Sequence, residues 1–172
     1  MLNQTLETIK QRRSIRGFKP DPLPRELVVQ LLEAATWAPN AGNLQPWEFY
    51  VVTDPATRVK AGAAARQRFV SEAPVLIVVC ALPLQSAEQY GARGEHLYCL
   101  QDTAAAVQNI LLAATSLGLA TCWVGSFNEN SVAESLNLEP GRRPVAMIPV
   151  GYAASKSRAP ARKPLEAVTR WI

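Results

Sequence analysis

The sequence predicts one domain in which a central sheet is sandwiched between helices. Three observations point there. The chain has 172 residues, 48% of them hydrophobic and 19% charged, which suits a single core under an ordinary globular surface. Helix-like and strand-like segments alternate, and layering is how such elements bury their apolar faces. Two helices precede the first strand, which is unlike a simple doubly wound fold. There is no internal repeat and no low-complexity segment.

Residues Asn3 to Arg12 read as a helix, with Leu6, Ile9 and Arg13 at helical spacing. Pro20-Asp-Pro-Leu-Pro24 breaks regular structure. A second helix runs from about Arg25 to Trp37, with Leu27, Val28, Leu31, Leu32 and Ala35 on its apolar face and Pro39 ending it. Asn40 to Pro46 is a loop dominated by Gly, Asn and Pro. Trp47 to Thr53 reads as a strand. Asp54 and Pro55 then form an N-cap and N1 pair that opens a helix toward Phe69. Val75 to Ala81 is a buried strand, and Gln85 to Gly94 is polar, either a loop or a short helix. A long helix from about Glu95 to Leu117 carries polar residues only at Gln108 and Asn109 between Ala104 and Ala114, so it is expected to be buried on most sides, with Gly118 as its C-cap. Ala120 to Val124 is a short strand, Asn130 to Leu136 a short helix and Val145 to Tyr152 the last core strand. The tail, 156–172, lacks a hydrophobic pattern of its own and needs something to dock against, such as a partner subunit.

Composition excludes several classes. The longest apolar run, Val75 to Leu82, is too short to span a bilayer, and Asn3, Gln4 and Glu7 do not form a signal peptide's basic and apolar regions. The expected location is the cytoplasm, with no membrane partner. Cys80, Cys99 and Cys122 are read as small buried hydrophobes. His96 is the only histidine, which leaves a catalytic cysteine without an evident partner and a zinc site short of ligands. The net charge of +4 is concentrated in two clusters, Lys10, Arg12, Arg13, Arg16 and Lys19, and Lys156, Arg158, Arg162 and Lys163. Together they suggest an anionic ligand gripped from both ends of the chain. Nucleic acid is not expected, because no aromatic residues are interleaved with these charges as a stacking platform.

Three segments carry candidate chemistry. Arg12-Arg-Ser-Ile-Arg16 offers guanidinium forks and a hydroxyl that suit a phosphate, at about 1.5–3 kcal/mol per charge-assisted hydrogen bond. The alternative is that these cations simply complement a helix C-terminus. In Trp37-Ala-Pro-Asn-Ala-Gly-Asn-Leu-Gln-Pro-Trp47, the amides of Asn40, Asn43 and Gln45 could read the edge of a heteroaromatic ring, or serve only the turn chemistry of a helix-to-strand loop. Leu117 to Phe127 contains a strand ending at Gly125, which lets backbone approach a flat ligand or merely ends a core strand. Asp102, inside the long helix, is read as solvent-facing or capping rather than as an acid or base. Gly91 and Gly94 around Arg93 match no phosphate-loop pattern.

In this order and spacing, the segments resemble the nitroreductase-like flavoenzyme family over nearly the whole chain. Gln101-Asp102 through Gln108-Asn109 and Leu111 to Ala114 resembles its central dimer helix, Gly118-Leu-Ala-Thr-Cys-Trp-Val-Gly125 its third flavin segment, and Val150-Gly-Tyr152 its final strand. The resemblance implies a three-layer α-β-α fold of the α+β class, with a mostly antiparallel sheet and an intertwined homodimer holding FMN at the subunit interface. It implies that Arg12, Arg13, Ser14 and Arg16 hold the phosphate and ribityl chain, with Arg162 and Lys163 closing over the phosphate. Pro39, Asn40, Ala41, Asn43 and Gln45 would line the ring or come from the other subunit. Trp123, Val124 and Gly125 would flank the isoalloxazine, and Gln67 would contact the ring.

The implied activity is FMN-dependent transfer of hydride from NADH or NADPH to a small organic acceptor, nitroaromatic, quinone or similar, with no obligatory side-chain acid or base and no metal. A flavin-binding or sensing module without turnover, and dehalogenation or enone reduction on the same fold, remain open. The stretch between Ala81 and Glu95 leaves little room for the helical excursion that covers the site in larger members, so a more open pocket is expected.

Overall fold

The computed structural model describes residues 3–155 and 157–172; Lys156 of the second basic cluster lies outside the described residues. Asn3 opens α1 (Gln4–Gln11) by accepting the backbone N–H groups of Thr5 and Leu6 at 3.0 and 3.4 Å. None of α1 is buried, and its apolar side chains Leu6 and Ile9 face outward. After α1 the chain runs as an extended arm. The Ile15 N–H donates to Thr121 at 2.9 Å, Lys19 donates to Tyr152 at 2.8 Å and Ala154 donates to Gly17 at 3.0 Å. α2 (Arg25–Thr36) buries Val28, Leu31 and Ala35, and ends at Trp37, two residues before Pro39.

The sheet has four antiparallel strands: β1 (Trp47–Val52), β2 (Val75–Ala81), β3 (Ala120–Thr121) and β4 (Arg143–Gly151), in the order β1-β2-β4-β3. This is the three-layer α+β architecture expected. All seven residues of β2 are buried, because helices cover both faces of the sheet. Ile77, Val79, Ala146 and Ile148 pack with α2 and with α6 (Cys99–Ser116). Leu76, Val78, Cys80 and Met147 pack with α3 (Pro55–Ala65), α4 (Phe69–Glu72) and α7 (Glu129–Leu136). Successive residues thus go to opposite cores, which turns the usual alternation of a strand into one unbroken apolar run.

Four boundaries differ from expectation for physical reasons. β3 stops at Thr121, although Val124 and Met147 exchange backbone bonds at 2.9 Å in the same register. Pro149 lies on the β4 edge facing the gap, two residues from Met147, and has no N–H to complete the ladder. The helix from Asp54 does not reach Phe69. It ends at Arg66, which adopts a left-handed conformation (φ 52°), and α4 restarts three residues later. The polar stretch after β2 is a helix, α5 (Pro83–Arg93), kinked at Gly91. A single π-turn at Gly94–Tyr98 then leads into α6, so the long helix begins at Cys99 rather than Glu95. Among the described residues no helix is long and apolar enough to cross a membrane.

Gly94 explains why α5 and the π-turn fit together. It is buried, and a Cβ there would stand 2.2 Å from the Ser86 carbonyl oxygen, a backbone atom that cannot swing aside. Gly94→Ala is therefore expected to lower stability by about 1–3 kcal/mol through overpacking, measured by urea denaturation.

Candidate functional site

The two basic clusters meet. Arg12 and Arg13 from the end of α1 and Arg162 from the tail line one cleft of about 390 Å³, together with Lys10 and Gln108. Among the described residues no carboxylate lines it. Among the described residues, Arg12, Arg16 and Arg162 form no ion pair with an acid. Four cations around one opening repel each other unless an anion or salt screens them, so the donor set itself is suited to a phosphate. Arg13 is partly engaged otherwise: its Nη1 donates to the Lys10 and Arg12 carbonyls, capping the end of α1. The competing helix-complement reading thus accounts for Arg13. Lys163 and Arg158 are exposed and do not line the cleft.

The arm beyond Arg13 joins the third segment. Ser14 bridges Thr121 at the edge of the sheet. Burial pushes the Cys122 thiol up, while Arg16, the Ser14 hydroxyl and Arg12 oppose that shift. The Arg16 guanidinium lies 6.0 Å from the centroid of the Phe69 ring. Gln67 sits half-buried between α3 and α4, its N–H held by Gly62 at 3.1 Å. Trp123 is 40% exposed, Val124 is buried in its bridge to Met147, and Gly125 is exposed just beyond. The interrupted ladder opposite Pro149 therefore coincides with the segment expected to flank a flat ring. Cys80, Cys99 and Cys122 are buried and unpaired.

The loop between α2 and β1 is unusually constrained. Gly42, Asn43 and Gln45 all have left-handed backbone, with φ of 58°, 56° and 52°. Non-glycine residues there cost of order 1–2 kcal/mol each, less for Asn, so surrounding contacts must impose the shape. The Asn40 Oδ1 accepts the Gln45 N–H at 2.8 Å, and its Nδ2 donates to Ala38 at 3.2 Å. Asn40 therefore shapes the loop rather than presenting a free amide. Asn43 is exposed and carries the loop's outward amide, while Gln45 reaches only 3.5 Å from the Asn43 carbonyl. Pro39 is exposed, and Trp37 is 86% exposed beside it. None of these residues lines the arginine cleft.

Asp102 corrects the expectation of a solvent-facing side chain. It is only 6% exposed, and its Oδ1 accepts the Ala41 N–H at 3.2 Å across the core-facing side of α6. Its Oδ2 is buried without a hydrogen-bond partner among the described residues, and burial raises the carboxyl's pKa above its ordinary value against the opposing pull of that N–H. The Ala41 N–H is thus committed to Asp102. Two supports of the loop went unread in the sequence. The Gln85 Nε2 donates to Leu44 at 2.6 Å, and a Cβ on Gly42 would lie 2.7 Å from the Tyr90 hydroxyl. Both supports come from α5, whose composition is mostly polar. A lone acid in an apolar helix was the signal available for Asp102.

Comparison with known proteins agrees with this geometry. The model of the nitroreductase family matches residues 9–72 and 62–152. A putative NADH dehydrogenase/NAD(P)H nitroreductase of Methanothermobacter thermautotrophicus is 36% identical over 154 residues, covering 87% of this chain and 77% of the relative. An FMN reductase (NADPH) of Bacillus subtilis is 30% identical, covering 97% of this chain and 73% of its own. The structure of an NADPH:FMN oxidoreductase from Vibrio harveyi in complex with NAD+ superposes with a TM-score of 0.89 at 26% identity, over 98% of this chain and 77% of that one. An arginine arm stitched to a sheet edge, a rigid amide loop and matches spanning most of the sequence lead to one conclusion: this chain belongs to the nitroreductase family.

Proposed function

We propose that the protein is an NAD(P)H-dependent FMN oxidoreductase that works as a homodimer in the cytoplasm and reduces a small organic acceptor. The observation that carries this reading is the acid-free cleft where Arg12, Arg13 and Arg162 converge from opposite ends of the chain. The names of the Bacillus and Vibrio relatives support the choice of FMN and of a reduced nicotinamide. The donor set fits the cofactor: guanidinium groups for its phosphate, and the arm bearing Ser14 and Arg16 running beside Trp123, Val124 and Gly125 for the rest.

Bound FMN would supply two-electron hydride chemistry, and the chain's own residues would position it. Arg12 and Arg162 would neutralise the phosphate, with Arg13 holding the end of α1 under it and Lys163 assisting from the tail. Ser14 and Arg16 would hold the ribityl chain, and Gln67 would reach the ring. Trp123, Val124 and Gly125 would wall one side with little polar surface, keeping water from the ring. Within one protomer the loop of Pro39, Ala41, Asn43 and Gln45 stands apart from the arginine cleft, so a second copy would bring its loop to complete each site. Leu6 and Ile9 on α1, and Leu165, Val168, Trp171 and Ile172 in the tail, are exposed and would be covered in that dimer.

A visible spectrum of the purified protein, light scattering and anaerobic mixing with NADH or NADPH test the reading. The expected results are a yellow protein with flavin absorbance, a dimeric mass and bleaching of the flavin by reduced nicotinamide. A folded monomer that takes up no FMN from excess would overturn it. A yellow protein that neither nicotinamide bleaches would leave flavin binding without turnover.

A further inference from the structure

Resting on the flavin reading above, we propose that Asp102 is a positioning residue: by clamping the Ala41 N–H it presents the Asn40–Gln45 loop to the cofactor. The bond joins residues 61 positions apart, from the first turn of α6 to the first residue of the turn that contains Gly42 and Asn43. The loop's own bonds (the Asn43 N–H to Asn40 at 3.4 Å, the Leu44 N–H to Ala41 at 3.1 Å and the Gln45 N–H to the Asn40 Oδ1 at 2.8 Å) close the turn on itself but do not tie it to the rest of the fold, and its left-handed residues need such an outside hold. Gln85 and Tyr90 brace the far side at Leu44 and Gly42. On the near side the Asn40 amide ties back to Ala38, and Asp102 anchors the point where the chain turns. Its placement is not explained by stability. A carboxyl that is 6% exposed, with one oxygen bonded and the other buried without a hydrogen-bond partner among the described residues, is an unfavourable occupant of an apolar helix face. What it provides is an acceptor aimed at one backbone N–H, and any flavin contact the loop makes inherits that geometry.

Three variants of the full chain test this: Asp102→Ala, Asp102→Asn and Ala41→Pro. Asparagine keeps an acceptor for the Ala41 N–H. Proline removes that N–H and suits this position, because it opens a helical turn and follows Asn40 in extended backbone (φ −152°). The readouts are FMN dissociation constant by fluorescence quenching and melting temperature without flavin. Asp102→Ala is expected to weaken FMN binding by about tenfold with no loss of flavin-free melting temperature. Asp102→Asn is expected to restore most of the affinity. Ala41→Pro should weaken binding as Asp102→Ala does, and the double variant should lose no more than either single change. Wild-type affinity in Asp102→Ala, no rescue by asparagine, or additive losses would each overturn the proposal. Failure of the wild-type chain itself to bind FMN would instead remove the flavin reading beneath it.

Discussion

Replacing Arg12 and Arg16 together with alanine is expected to strip the protein of FMN while leaving its fold in place. Neither guanidinium forms an ion pair with an acid among the described residues. Arg16 gives up only its 6.0 Å approach to Phe69 at a largely exposed position, worth about 0.5–1 kcal/mol. Each charge-assisted bond to a phosphate or ribityl oxygen would contribute about 1.5–3 kcal/mol, so the pair accounts for about 3–6 kcal/mol, or roughly two to four orders of magnitude in dissociation constant. Titration of flavin-free protein measures the affinity, and circular dichroism and melting temperature verify the fold. Full flavin occupancy in the double variant would mean the phosphate is held elsewhere. Arg13→Ala is the informative contrast. Its Nη1 already serves the carbonyls at the end of α1, so it should weaken binding less and fray that helix more.

Ile148→Ala should have the largest effect on stability. Ile148 is fully buried in β4, pairs across the ladder with Ile77 of β2, and lies in the core that α2 and α6 close. It is on a central strand with neighbours on both sides, so the cavity cannot collapse by shifting an edge. The expected loss is about 2–5 kcal/mol, which at this chain length lowers the melting temperature by about 4–20 °C. Ile148→Val should cost only about 0.5–1.5 kcal/mol. Thermal denaturation of both variants checks the pair, and an alanine variant within 1 kcal/mol of wild type (about 2–4 °C) would show that the site can repack.

How much of this was legible in the sequence depended on whether the cause was local. Val75 to Ala81 was readable to the residue, because helices on both faces demand an uninterrupted apolar run. Asp54 and Pro55 announced α3, as the Thr57 N–H bonded to Asp54 at 2.8 Å bears out. The arginine run could be read as an anion grip from charge alone, and Arg162 does share its cleft. The failures share a non-local cause. Arg66 ends α3 in a conformation that favours glycine, with no glycine there to announce it. For α5 the sequence left a loop or a short helix open, and the helix that forms is placed by the Gly94 contact with Ser86. The ladder gap in β3 is written in Pro149, a residue of another strand. The amides of the loop were visible as chemistry, but only the folded chain shows that Asn40 spends its amide on Gln45 and Ala38 while Asn43 keeps its own outward.

Residues 157–172 are exposed almost throughout, yet Ala159, Pro160 and Arg162 close one wall of the arginine cleft. A part of the proposed anion grip is therefore mounted on an exposed segment outside the sheet and its covering helices. On the proposed function, proteolytic nicking between Ala159 and Arg162, or dilution that separates the proposed subunit pair, would loosen the phosphate end well before any strand of the sheet gave way. In such a protein, bleeding of yellow colour into the filtrate would be an early warning that precedes any change in secondary structure.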